Sequence, residues 1–354
     1  KPQDVGRELG VRYLLEGSVQ RAGDQVRINA QLIDTTSGTH LWAERYARAL
    51  GDLFAVQDEI IRMIVGSLAV KVTALERKRV AHKKTDDVNA YDAFQRGAQV
   101  YLARLNHAHE TDEGLKESRS WFEKAIELDP NYARAWGWLA YTSANSWLEG
   151  WSDKESLEKA EEFARKAVAL DPDDYDTHWS LAFVLSHKGN PDQALSEYND
   201  ALNLNPNDPN MLVEMSETLL YIGEHQQCID QIKHAMVINP HFPEWYRWDL
   251  GWAYHHAKEY QESNLELNKI VSPNNEVRLI MAANYARIAS AYIETNEPSR
   301  AAEATEQAAT AMKLFLEKRS DWTVEKERRK VSFKNSEDEE HWIDGVRKAG
   351  LPER

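Results

Sequence analysis

The residues with the most chemical capacity lie in WYRWDLGWAYHH, from Trp245 to His256. On a helix, at about 100° per residue, Trp245, Trp248, Trp252, His255 and His256 fall on one side. Leu250, Ala253, Tyr254 and Ala257 fall on the other. Imidazoles bind metals or move protons, and indoles offer a large amphipathic face that attracts cations. His255 and His256 diverge by about 100° around such a helix, and no cysteine or third ligand stands near them in the chain. They read as groove-lining or solvated side chains. The same holds for His107 and His109 in the loop LNHAHE. Asp171, Asp173 and Asp174 in LDPDDYD lack the glycine and the distant glutamate of a calcium loop, and read as helix-boundary caps. Cys228, the one cysteine, has no basic neighbour to lower its pKa and reads as a small packing residue. These residues give no catalytic group, and neither a metal nor a cofactor is expected.

Other signatures narrow the function further. The chain contains no phosphate-cradling glycine loop, no zinc-protease helix motif and no nucleophile elbow. Its net charge of −15 repels phosphates and argues against nucleic acid as a partner. Two basic runs, Glu76–Lys84 and Glu325–Lys330, lack interleaved aromatics and read as solvated helix faces or linkers. No apolar run approaches the roughly 20 residues that span a bilayer. A single cysteine excludes a disulfide within the chain and fits a reducing, cytoplasmic setting. The sequence opens at Lys1 without a signal-type segment and reads as part of a longer chain.

Helix punctuation supplies the positioning elements. AIELDP, AVALDP, ALNLNP and AMVINP recur, and Pro172, Pro206 and Pro240 step by 34 residues. In HWSLAFVLSHKGNPDQALSEYNDALNLNP, small residues at Ala182, Ala194 and Ala201 let two helices approach. Leu181 and Tyr198 fill the gaps beside them, Gly189 turns the chain, and Pro206 ends the second helix. This pattern resembles the tetratricopeptide repeat. The resemblance implies a mainly α fold, a right-handed superhelix of about six helix pairs. The units fall at 89–130, 131–172, 173–206, 207–240, 241–273 and 275–311, so the repeats span 89–311 and a capping helix and tail span 312–354. The resemblance also implies a concave peptide-binding surface lined by the first helix of each pair. In register, that surface takes Arg134, Trp138 and Tyr141, then Asp176, Trp179, Phe183 and His187. Asn210, Glu214 and Glu217 follow, then Trp245, Trp248, Asp249, Trp252, His255 and His256, and finally Arg287 and Glu294. Trp121 and Trp136 are read instead as packing between helices.

Residues 1–80 differ. Val26, Ile28, Ala30 and Leu32 alternate with polar residues, the period of a half-buried strand. AGD and TTSG mark hairpin turns. The order is a short helix closed by Gly10, three strands, then a helix from an Asp52 cap to about Leu75. Residues 81–88 read as a linker. The segment Leu9–Ile60 resembles the second half of the TolB-N-like domain of bacterial signalling proteins, and VRKAGLPE resembles their tail. That resemblance implies an attached output, a class III adenylate or guanylate cyclase or a winged-helix regulator, with this chain as its regulatory part. It also leaves a partial α+β domain, a three-stranded sheet whose open edge invites pairing with a second copy.

The expected partner is a protein or peptide. Aromatic faces beside carboxylates suit a basic or aromatic segment through cation–π contact and charge pairing.

Overall fold

The computed structural model describes residues 1–68, 84–105, 112–331 and 333–354. The expected basic run at Glu76–Lys84 lies outside them except for Lys84, as do His107 and His109. Two compact units form: Lys1–Asp92 with Glu127–Asn131, and Ala93–Ile126 with Tyr132–Arg354.

In the first unit, α1 (Pro2–Leu9) ends at Gly10, whose φ of 67° supplies the left-handed cap. An antiparallel meander follows: β1 (Tyr13–Ala22), β2 (Gln25–Asp34) and β3 (Thr39–Ala49), in the order β1-β2-β3. Gln25 pairs with Ala22 and, across β2, Asp34 with Thr39. Gly23 and Gly38 take the positive φ that the tight connections require. Val26, Ile28, Ala30 and Leu32 are buried together with Trp42 and Tyr46. All but Val26 form one cluster with α2 (Leu53–Ser67), which contributes Val56, Ile60 and Ile64. The alternation in β2 thus selects the covered face. Asp52 sits at the N-cap of α2, but its side chain makes no capping bond, because the chain enters through a 3-10 turn at Leu50–Asp52. The helix is described as far as Ser67, and the expected span from residue 69 to about Leu75 lies outside the described residues.

Six helix pairs follow, described by their bounds: α3 (Val88–Leu105) with α4 (Glu113–Leu128), α5 (Ala133–Leu148) with α6 (Lys154–Leu170), α7 (Tyr175–His187) with α8 (Pro191–Leu204), α9 (Pro209–Tyr221) with α10 (His225–Ile238), α11 (Trp245–His256) with α12 (Tyr260–Leu267), and α13 (Asn275–Glu294) with α14 (Pro298–Lys318). Two short helices, α15 (Val324–Lys330) and α16 (Ser336–Lys348), complete the chain. The fold is mainly helical, with a three-stranded sheet at the start.

Among the described residues, the turns inside the second to sixth pairs each carry one left-handed residue. Gly150, Gly189 and Gly223 supply it in the second to fourth pairs. Lys258 (φ 64°) and Asn296 (φ 59°) supply it in the fifth and sixth. Small residues set the spacing inside the pairs: a Cβ on Gly251 would meet the Leu267 side chain at 2.5 Å. Ala140, Ala182, Ala194 and Ala201 are fully buried at the corresponding contacts. Successive first helices also touch, α5 on α7, α7 on α9, α9 on α11 and α11 on α13. The face they share continues from pair to pair.

Asp174 caps α7, and Asp171 accepts the Asp173 amide at 3.2 Å, the boundary roles their spacing suggests. Cys228 is buried among Ile229, Ile232 and Leu219, and burial pushes its thiol pKa up.

Candidate functional site

The first helices carry a run of aromatic rings in edge-to-face and tilted contact. Trp138 of α5 lies 5.6 Å from Trp179 of α7, and Tyr141 lies 4.6 Å from Trp179 and 4.4 Å from Phe183. Phe183 meets His187 at 4.5 Å, and His187 meets Tyr221 of α9 at 6.1 Å. Spacing of this kind adds roughly 0.5–1.5 kcal/mol per pair beyond burial.

Glu214 of α9 reaches into this run. Its two oxygens accept the Tyr141 hydroxyl at 2.9 Å and the Trp179 indole N–H at 2.7 Å. Burial pushes its carboxyl up to about 8, with Glu217 and Asp208 adding to the rise and the two hydrogen bonds opposing it. Burial, reinforced by Glu217 and Glu214, likewise holds Asp249 well above its ordinary range. Glu217 accepts the Tyr221 hydroxyl at 2.8 Å and stands 3.6 Å from His187 Nε2. Burial therefore opposes ionisation of two of the carboxyls behind the acidic lean read from the sequence, Glu214 and Asp249.

Several residues expected on an open surface serve packing between pairs. Arg134 clamps Asp174 at 2.8 Å and Asp176 at 2.7 Å, joining α5 to the start of α7. Trp138 packs among Phe94, Tyr101 and Phe122 of the first pair, and its buried indole N–H makes no hydrogen bond. Trp136 sits on Phe163 and Trp121 under Arg96, within their own pairs, as their register indicates. Asn210 accepts the Tyr246 hydroxyl, while Glu294 is exposed.

The stripe on α11 faces a segment of the same chain. Trp252 lies 4.4 Å from Trp342 of α16, and Trp248 packs against the core shared by α13 and α16. His255 and His256 are 0% and 1% exposed. His255 Nδ1 shares a hydrogen bond with Asn284 Oδ1 at 2.7 Å, and His256 lies 4.7 Å from Phe333. Burial lowers both imidazoles, His255 to about 3, so both are neutral near pH 7. Trp245 begins the helix, edge-on to Tyr246 at 4.5 Å.

The segment from Arg319 to His341 touches five pairs. Arg319 donates to the Glu149 carbonyl, and Trp322 packs on Gly150 at the end of α5. Lys334 Nζ lies 3.2 Å from Asp192, and its amide donates to the Tyr221 carbonyl at 2.8 Å. Phe333 sits 5.2 Å from Tyr221 and 6.3 Å from Trp252. Lys330 pairs with Glu276 of α13 at 2.8 Å, and Arg287 pairs with Asp344 at 2.8 Å. The basic run Glu325–Lys330 thus forms a helix that is solvated at Glu325, Lys326 and Arg329 and packed at Glu327 and Lys330. Glu327 is 2% exposed and accepts the indole N–H groups of Trp322 at 2.7 Å and Trp342 at 3.0 Å. Two indoles and one carboxylate at this spacing could have marked a packed helix in the sequence. Their docking site, built from helices far back in the chain, could not be read there.

This geometry and the family comparisons agree on the class. Residues 121–155 and 153–214 match models of the tetratricopeptide repeat, and the chain carries such repeats. A Rhizobium meliloti (strain 1021) protein named "Putative adenylate cyclase 3" is 41% identical over 192 residues, 54% of this chain. The match spans 32% of that relative, about a third of its length. Among solved structures, a thermophilic repeat protein of Thermus thermophilus is 19% identical, with 63% of this chain and 98% of that one covered and a TM-score of 0.41. YrrB, described as having an unusual peptide-binding site, is 20% identical, with 56% and 90% covered and a TM-score of 0.31. Among the described residues no helix is long and apolar enough to cross a membrane.

Proposed function

We propose that this chain is a regulatory, protein-binding scaffold whose first-helix face receives an extended segment rich in basic and aromatic side chains. The observation that carries the reading is the seating of Phe333 and Lys334. One aromatic ring lies against Tyr221, Trp252 and His256, its neighbouring amide donates to a main-chain carbonyl, and its neighbouring ammonium meets Asp192. A partner with the same chemistry competes for that seat. A cation placed beside Glu214 or Asp249 ionises them, so binding releases protons. The relative named for a cyclase supports placing this scaffold in the regulatory part of a class III nucleotide cyclase.

A peptide array probed with the chain tests the reading. Basic-aromatic peptides are expected to be retained, more strongly by Phe333→Ala, and to lose binding when Trp245, Trp248 and Trp252 become alanine. Micromolar binding of acidic C-terminal peptides, or capture unchanged by both sets of substitutions, would overturn it.

A further inference from the structure

His225 begins α10, His256 ends α11 and Asp338 lies in the first turn of α16. The fold gathers one ligand atom from each within 4.8 Å of the others. His225 Nε2 stands 3.4 Å from an Asp338 oxygen, close to the roughly 3.3 Å edge of a tetrahedron with zinc–ligand bonds of about 2.0–2.1 Å. These atoms lack other employment. Both nitrogens of His256, Nε2 of His225 and Oδ2 of Asp338 are buried without a hydrogen bond. His256 is 1% and Asp338 7% exposed. Orphaned buried polar atoms are uncommon, and a cluster of them from three helices calls for a shared partner. Gly223, at φ 89°, leaves the space beside the carboxylate: a Cβ there would lie 3.4 Å from Oδ2.

We propose that His225, His256 and Asp338 form a binding site for a borderline divalent cation of the Zn²⁺ type. Two imidazoles and a carboxylate are the donor set such ions take, with one position of the tetrahedron left over. Ligation takes the lone pair of a neutral imidazole nitrogen, and both nitrogens of His256 are buried without another partner. A bound ion would tie α16 to α10 and α11. The site shares His256 with the face that seats Phe333, so of its three residues only His225 and Asp338 are substituted in the test. A second group, His178, Glu197 and Asp200, has comparable spacing. There, however, both His178 nitrogens are engaged, with Glu197 at 2.7 Å and the Pro172 carbonyl at 3.0 Å.

The test uses the whole 354-residue chain, stripped with chelator and titrated with Zn²⁺ by calorimetry and with Co²⁺ by visible absorption. One equivalent of Zn²⁺ is expected, together with the absorption of tetrahedral Co²⁺ and a rise in melting temperature. His225→Gln and Asp338→Asn, each close in size to the native residue, should weaken binding about tenfold or more while leaving the metal-free circular dichroism unchanged. His178→Gln should keep full binding. Absence of binding to the native chain, binding unaffected by His225→Gln and Asp338→Asn, or binding lost in His178→Gln would overturn the proposal.

Discussion

Glu214 offers a quantitative handle on the aromatic face. Its carboxyl rises from an ordinary 4.5 to about 8 in the folded chain. Folding therefore takes up a proton between these values. Stability conferred by the neutral form is complete below pH 4.5, falls as pH rises through the window, and levels off above about pH 8. Each unit corresponds to about 1.36 kcal/mol, so the two units between pH 6 and 8 amount to about 2.7 kcal/mol. Because the residue keeps some solvent access, the realised figure is on the order of 2 kcal/mol. Glu214→Gln removes the titration but keeps an oxygen for the Trp179 indole and places a donor against the Tyr141 hydroxyl. Urea unfolding of both proteins at pH 6 and pH 9 reads the titration of Glu214 together with its charge coupling to Asp249. The glutamine variant should gain on the native chain by about 2 kcal/mol between the two pH values. A stability difference that stays constant from pH 6 to 9 would refute a neutral, buried Glu214.

Two further expectations concern the joints between helices. Arg134→Ala leaves Asp174, whose side chain is fully buried, facing Asp176 without its cation. Chemical denaturation should show a loss of roughly 3–5 kcal/mol, against a change near zero for the exposed Arg300→Ala control. Lys258 holds a left-handed backbone where other pairs use glycine. Lys258→Gly should raise stability by about 1 kcal/mol, read as a higher melting temperature with unchanged helicity. A drop would mean that the side chain contributes more than the backbone conformation costs.

The sequence determined the repeat architecture, because local physics sets it. Prolines stop helices wherever they occur, glycine accepts a left-handed turn, and alternation in β2 assigns a buried face whatever lies beyond. The packing roles of Cys228, Trp121 and Trp136 and the caps at Asp171 and Asp174 followed from register alone. Even the face of α11 could be drawn from its spacing. What covers that face could not. Phe333, Trp342 and Lys330 reach α9, α11 and α13 only after the intervening helices have stacked, and no periodicity encodes a contact across so long a stretch of chain. The histidines show the same divide. His255 and His256 diverge on their helix, and each lacks a third ligand nearby in the chain. Folding leaves His255 bonded to Asn284 and brings His225 and Asp338 to His256 from α10 and α16. Charge was also only half legible. Carboxylates can be counted in a sequence, but whether Glu214 and Asp249 carry their charges depends on the solvent that their neighbours exclude, and that is decided by tertiary packing.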